Sequence, residues 1–542
     1  MQGISMSPLD WVVCLTALIG SIVAGLCLSL RQKSTQSSSG FFLAGRTLTW
    51  PIIGASLFAT NISAEHLVGL SGDAYRYGLC AGTVELTTAM CLGFTAAILL
   101  PHYMRNKIFT IPEILEKRYS VHARTTFSGL MLVICIMTKT AFTLYAGALV
   151  LHLLIGWDIM TTAIVLGCMA AAVTMIGGFT TVAYTDAIQT VIMLVGSGIM
   201  TLIGLDKIGG WNALCATVPE AMHMAKPLTD PNYPFWGIIA GAAYGGIFYW
   251  GMDQVNAQRM LGAKDLNHAR WGAMFAVLLK LFPVFIFALP GVIAFALSKG
   301  SLEGEQTKET FVWLLNNLLP SGLRGLLLAS LLAALISSLL AIMNSISTLV
   351  VRDFVLRYKP EASEKFQVWI GRWAIVIGAA LSVAASYLVY KTPDGLYKYL
   401  QTISIYLVMP ITPAIAFGIM SRRVTIKGAA ASVVAGVLLA ILFIVDQLMC
   451  GARGQAWGEE HLPFLHKWYT LNYTYRGLWG FLITTATLFS VSAFTAKTSM
   501  EKLVSTTVDW RAKREAFSGI RDWRLHWALL MIVTVLLYRL VW

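Results

Sequence analysis

Fourteen stretches of roughly 20 apolar, nearly uncharged residues recur along this 542-residue chain, more than any water-soluble core could bury. A helix needs about 20 such residues to cross about 30 Å of hydrocarbon, so each stretch reads as a membrane span. The spans fall near 9–29, 48–71, 80–101, 125–155, 160–177, 183–205, 235–258, 269–297, 321–351, 367–389, 397–419, 428–448, 477–496 and 525–542. Hydrophobic residues make up 57% of the chain and charged residues 12%, which excludes a cytosolic enzyme. A transmembrane β-barrel would alternate polarity in segments of about ten residues, and that pattern is absent. The expected class is an all-α polytopic membrane protein. The first span has no small-residue cleavage site and is followed by Arg31 and Lys33, so it reads as a retained helix.

The net charge of +13 is mostly a topology signal. With the N-terminus outside, cytoplasmic loops and the span ends beside them collect 26 of the 40 Lys and Arg and external segments with their span ends 11, while Lys139, Lys280 and Arg324 are counted with neither. The positive-inside rule then puts both termini on the external side, as an even span count requires. Nucleic acid is therefore not an expected partner. The eight cysteines are scattered without metal-ligand spacing, so neither a zinc site nor a disulfide framework is expected.

Polar groups interrupt certain spans. Gly54 to His66 carries Ser56, Thr60, Asn61, Ser63, Glu65 and His66 through what would be mid-bilayer. A helix broken where it lines a cavity accounts for that run; hydroxyls that bond neighbouring helices are the plainer alternative. Five spans later Ala243 to Gln254 is again interrupted, by Gly245, Gly246 and Gly251. Two broken helices in corresponding positions point to two inverted five-helix repeats with a midplane binding site. Under that symmetry Glu85 and Lys280 lie on facing walls, as ligand groups for a neutral polyol or as a structural ion pair. Ser337 and Ser338 offer hydroxyl oxygens, and the break around Ala59 and Ile62 offers carbonyls, both hard ligands suited to a small cation. Lys139 and Asp186 read as a relay or as a buried ion pair.

These motifs resemble the sodium:solute symporter family, and within it the sodium/glucose (galactose) cotransporters. The resemblance runs from about residue 40 to 440 and rests on Phe42 to Arg46, Ala55 to His66, Ile176 to Phe179, Tyr184 to Asp186, Gln189 to Ser197, Tyr249-Trp250, Ile336 to Ser338 and Gly428-Ala429. It implies about 14 transmembrane helices around a LeuT-like core. An N-terminal extra helix and loop (1–47) would precede a first repeat (48–205), an external loop (206–234), a second repeat (235–419) and three peripheral helices (420–542). It implies a co-transported sodium ion held by carbonyls of Ala59, Ile62 and Ala334 and hydroxyls of Ser337 and Ser338. A sugar would be bound by Asn61, His66, Glu85, Lys280 and Gln401, with Tyr249 as inner gate and Trp250 beside it.

The sequence also departs from the family pattern. Gly246 stands where a bacterial galactose transporter has a sugar-binding Asn, and Leu340 and Ala341 where members with a second sodium site carry hydroxyls. The long disulfide-bearing external loop of animal members is missing, which points to a bacterial inner membrane. The resulting expectation is a sodium symporter importing a neutral hexose by alternating access, one sodium per sugar, with no enzymatic chemistry. Symport of another small solute (an inositol, an amino acid) or a sugar sensor or sodium channel on the same scaffold stay open, as does the oligomeric state, monomer included.

Overall fold

The computed structural model describes residues 6–32, 36–63, 65–302, 304–391, 408, 410–453, 459–461, 463–510 and 516–540. Among them the regular structure is helical, with two isolated β-bridges, Leu48 to Ala263 and Lys226 to Pro234, outside it. Nine described helices are long and apolar enough to cross a membrane. The principal helices, in chain order, begin with α1 (Pro8–Arg31), α2 (Trp50–Asn61), α3 (Leu70–Tyr77), α4 (Leu79–Arg105), α5 (Val121–His152) and α6 (Ile159–Ile208). Next come α7, which runs from Phe235–Gly241 through a π-helical turn into Ile247–Gly251, then α8 (Gln254–Leu261), α9 (Leu266–Ser298), α10 (Leu323–Tyr358) and α11 (Glu364–Lys391). The last are α12 (Ile411–Met420), α13 (Ile426–Arg453), α14 (Tyr473–Ala493) and α15 (Trp523–Leu540).

Local signals set the ends. Ser7 caps α1 in a capping box with Asp10, and Pro8 takes the first-turn position that lacks a useful N–H. Asp10 does more, accepting the N–H groups of Gly322 at 2.7 Å and Gly325 at 3.1 Å, so one buried carboxylate serves the starts of both α1 and α10. The spans expected at 160–177 and 183–205 are not joined by a loop. They form α6, broken at Gly178, whose φ of 58° and ψ of −160° a side chain would strain. A Cβ there would also stand 2.9 Å from the Phe41 carbonyl oxygen.

The two interrupted spans are broken as expected. α2 ends at Asn61, where Ile62 turns to extended backbone, and the chain resumes through a π turn (Glu65–Gly69) into α3. α7 stops at Gly251, Met252 leaves helical geometry, and Asp253 caps α8 by accepting the N–H of Val255. π turns recur, at different positions along the helix, in helices that the expected repeat would pair. Those helices carry Glu65–Gly69 and Ala242–Gly246, Thr95–Leu99 and Val284–Ala288, and Ile134–Thr140 and Val350–Val355. The best-buried spans are α9 and α10, while α1 and α15 lie at the periphery. That is the arrangement of a core bundle with lipid-facing flanks.

Candidate functional site

The break in α2 places polar groups where two half-helices end. With Ile62 extended, the carbonyls of the last turn of α2 lose their intrahelical donors. The Ser63 N–H, which would have continued the helix, instead donates to His66 Nδ1 at 3.3 Å. The imidazole proton therefore sits on Nε2, which faces Glu85 Oε1 at 3.2 Å. The other oxygen of Glu85 pairs with Lys280 from α9, and Lys280 Nζ also donates to Asn61 Oδ1. Asn61 Nδ2 donates in turn to the Tyr249 hydroxyl at 2.9 Å. Four of the five residues expected to bind solute thus form one relay from one broken helix to the other, while Gln401 lies outside the described residues. Tyr249 ends the relay; Trp250 beside it is 4% exposed, with Lys280 Nζ 5.9 Å from its ring centroid.

The expected cation ligands divide into two clusters. Ser338 Oγ donates toward the Ile62 carbonyl at 3.1 Å and the Thr60 carbonyl at 3.2 Å, at the break itself. Ser337 Oγ turns to α6 and donates to Asp186 Oδ1 at 2.7 Å. Ala59 and Ala334 are fully buried in the same core. Asp186 also accepts from Ser56 at 2.6 Å and Thr60 at 3.3 Å, and Arg259 of α8 approaches it at 3.5 Å. All of these side chains are buried.

Lys139 and Asp186 are not paired with each other. Lys139 pairs with Asp253, and Asp186 with Arg259. Sequence reasoning missed both partners, together with Ser56 and Thr60; the four-residue spacing of those two on α2 was the available signal, since it puts both on one helix face. Three acid–base pairs therefore surround the two breaks, each close to neutral: Glu85–Lys280 and Asp186–Arg259 are buried, and Lys139–Asp253 has its lysine partly exposed. Burying an unpaired charge there would be costly.

A cavity of 410 Å³ opens against the relay, lined by Asn61, His66, Tyr249, Thr60 and Ser338 among others. It lies within the roughly 300–1,000 Å³ typical of small-molecule sites. Glu85, Lys280 and Trp250 are not among its lining residues. Gly246, where the resemblance implies lost ligand contacts, packs against α4: a Cβ there would lie 2.5 Å from Cys91 Sγ.

Comparisons with known proteins agree with this arrangement. Residues 41–436 match the sodium:solute symporter family. The chain is 32% identical to a sodium/glucose cotransporter 4 of Danio rerio, over 96% of this chain and 83% of that protein. It is 30% identical to a sodium/myo-inositol cotransporter of Bos taurus, over 92% of this chain and 75% of that protein. Its fold is similar to that of a substrate-bound, outward-open Na+-coupled sialic acid symporter, with a TM-score of 0.75 at 20% identity over 91% of this chain and 99% of that one. The architecture is thus a LeuT-like helical core, and the protein is a transporter rather than an enzyme. Its family, shown by a match over most of the chain, is the sodium:solute symporter family, to which this protein belongs.

Proposed function

We propose that the protein couples sodium entry to uptake of a neutral cyclic polyol, a hexose in the first instance, by alternating access across a cell membrane. The observation that carries this reading is the relay Tyr249, Asn61, Lys280, Glu85, His66, which alternates donors and acceptors and sums to no net charge. A ring bearing several hydroxyls, each both donor and acceptor, can enter such a chain and leave no group unpaired, whereas an anion or cation would unbalance it. Tyr249 supplies an aromatic wall against the apolar face of such a ring.

Sodium would be held between the Ile62 carbonyl and the Ser337 and Ser338 hydroxyls, of which Ser338 stands in the wall of the same cavity. Binding there ties α10 to the broken end of α2, next to Asn61, and so favours the arrangement in which the relay is complete. In this reading the basic loops face the cytoplasm with both termini outside, and a sodium gradient directed inward carries the solute inward with it. Myo-inositol is the second reading, favoured by relatives of that description at nearly the same identity.

The test is uptake into proteoliposomes of radiolabelled hexoses, myo-inositol and a neutral amino acid, each with and without a sodium gradient. The expected result is sodium-dependent accumulation of at least one hexose above its outside concentration. Accumulation of the amino acid alone, or flux that only equilibrates, would overturn the reading.

A further inference from the structure

We propose a second polyol subsite beyond Tyr249, built on Asn256, Asp253 and Lys139, where the solute pauses after leaving the relay. The inference rests on the transport reading above. The cavity does not stop at Asn61 and His66; it continues past Tyr249 along α8 to Asp253, Asn256 and Ile342. The upper groups Glu85 and Lys280 do not reach this part.

Asn256 is the central observation. It is 1% exposed, its Nδ2 donates to the Tyr249 carbonyl at 2.9 Å, its Oδ1 is buried without a hydrogen-bond partner, and the residue stands in the wall of the cavity. A buried amide oxygen without a donor is costly, and buried polar groups are otherwise nearly always satisfied. A solute hydroxyl is a donor of the right kind. Beside it, Asp253 and Lys139 both line the cavity and pair directly with each other, and Lys139 Nζ lies 5.6 Å from the Tyr249 ring centroid. The pair presents one acceptor group and one donor group on the same wall. Phe142 and Phe248 complete it with aromatic surface suited to the C–H face of a sugar ring.

The geometry also links subsite to gate. Asn256 holds the backbone of Tyr249, whose hydroxyl is held by Asn61. A solute that engages Asn256 Oδ1 therefore binds a group fixed to the same residue that separates the two subsites. Occupancy below the gate would retain Tyr249 in place behind the departing solute.

The experiment measures half-saturating solute concentrations for sodium-driven uptake and for efflux from preloaded proteoliposomes, in the wild type and in Asn256→Ala. Loss of one hydrogen bond at the lower subsite is expected to raise the efflux value about tenfold relative to the uptake value. Ile342→Phe fills the lower cavity without removing a polar group and should shift the same ratio in the same direction, which guards against an Asn256→Ala protein that does not fold. If both variants change uptake and efflux equally, or change neither, the subsite is wrong while transport stands. Absence of sodium-driven flux in the wild type would remove the transport reading and the subsite together.

Discussion

Replacing Glu85 with glutamine keeps the shape of the side chain and removes its charge, so it isolates the electrostatic part of the relay. Lys280 has 2% of its side chain exposed and would be left with the Asn61 amide oxygen and the Trp250 ring as neighbours. Removing one partner of a buried pair typically costs about 3–5 kcal/mol. Coulomb's law at an effective dielectric near 20 gives about 4 kcal/mol for charges 4 Å apart, so the two routes agree. Lys280→Met alone should cost a similar amount by stranding the carboxylate.

The double variant Glu85→Gln, Lys280→Met leaves no buried charge and should recover stability to within about 1–2 kcal/mol of the wild type, the remainder being the hydrogen bond from His66 Nε2. Solute binding should stay lost in all three. The cycle can be read by denaturant unfolding in micelles with a thiol-reactive dye, because Cys91 and Cys135 are buried free thiols exposed only on unfolding. A coupling energy of at least about 2 kcal/mol is expected. Additive single-variant effects, each below about 1 kcal/mol, would refute the buried-pair argument.

Three further outcomes follow from the site. Ser338→Ala, which removes the hydroxyl facing the Ile62 carbonyl, and Ser337→Ala should each raise the sodium concentration for half-maximal uptake several-fold; sodium activation unchanged in both would separate these hydroxyls from the ion. Gly246→Ala should lower the unfolding midpoint by an overpacking cost of about 1–3 kcal/mol against Cys91, whereas Gly245→Ala, with nothing within 4 Å, should not; equal midpoints would contradict the packing of α7 on α4. The turn after Ser337 carries Leu340 and Ala341, hydrocarbon that cannot replace an ion's hydration shell, so coupled flux should reverse at the voltage expected for one sodium per solute rather than two.

The broken helices, the facing of Glu85 and Lys280, and the nearness of Asn61 and His66 were legible because glycines and polar residues inside apolar runs have few other uses in a membrane, whereas the place of Tyr249 was legible only through the family resemblance. Partners fixed by helix rotation were not legible. Adjacent residues on a helix point about 100° apart, so Ser337 and Ser338, which read as one pair in sequence, face α6 and α2 respectively. The same freedom hid the exchange of partners in which Lys139 takes Asp253 and Asp186 takes Arg259. Those contacts depend on how α8 is turned after the break at Met252, and no local pattern records that angle. The loop expected between 177 and 183 failed for a related reason, since a single glycine at positive φ does what a run of turn residues usually does.

The π turns of the two halves carry a consequence for reversibility. A wide turn holds one residue more than the helix needs, so it is a place where a helix can slide its register by one position without losing its overall path. Among the described residues such slack points occur in three helices of each half. Slack of this kind in both halves lets either half adjust its helices as the bundle rocks. A carrier built this way has no preferred direction of its own. The sodium gradient decides which way it runs, and collapsing or inverting that gradient should turn the same molecule into an exporter.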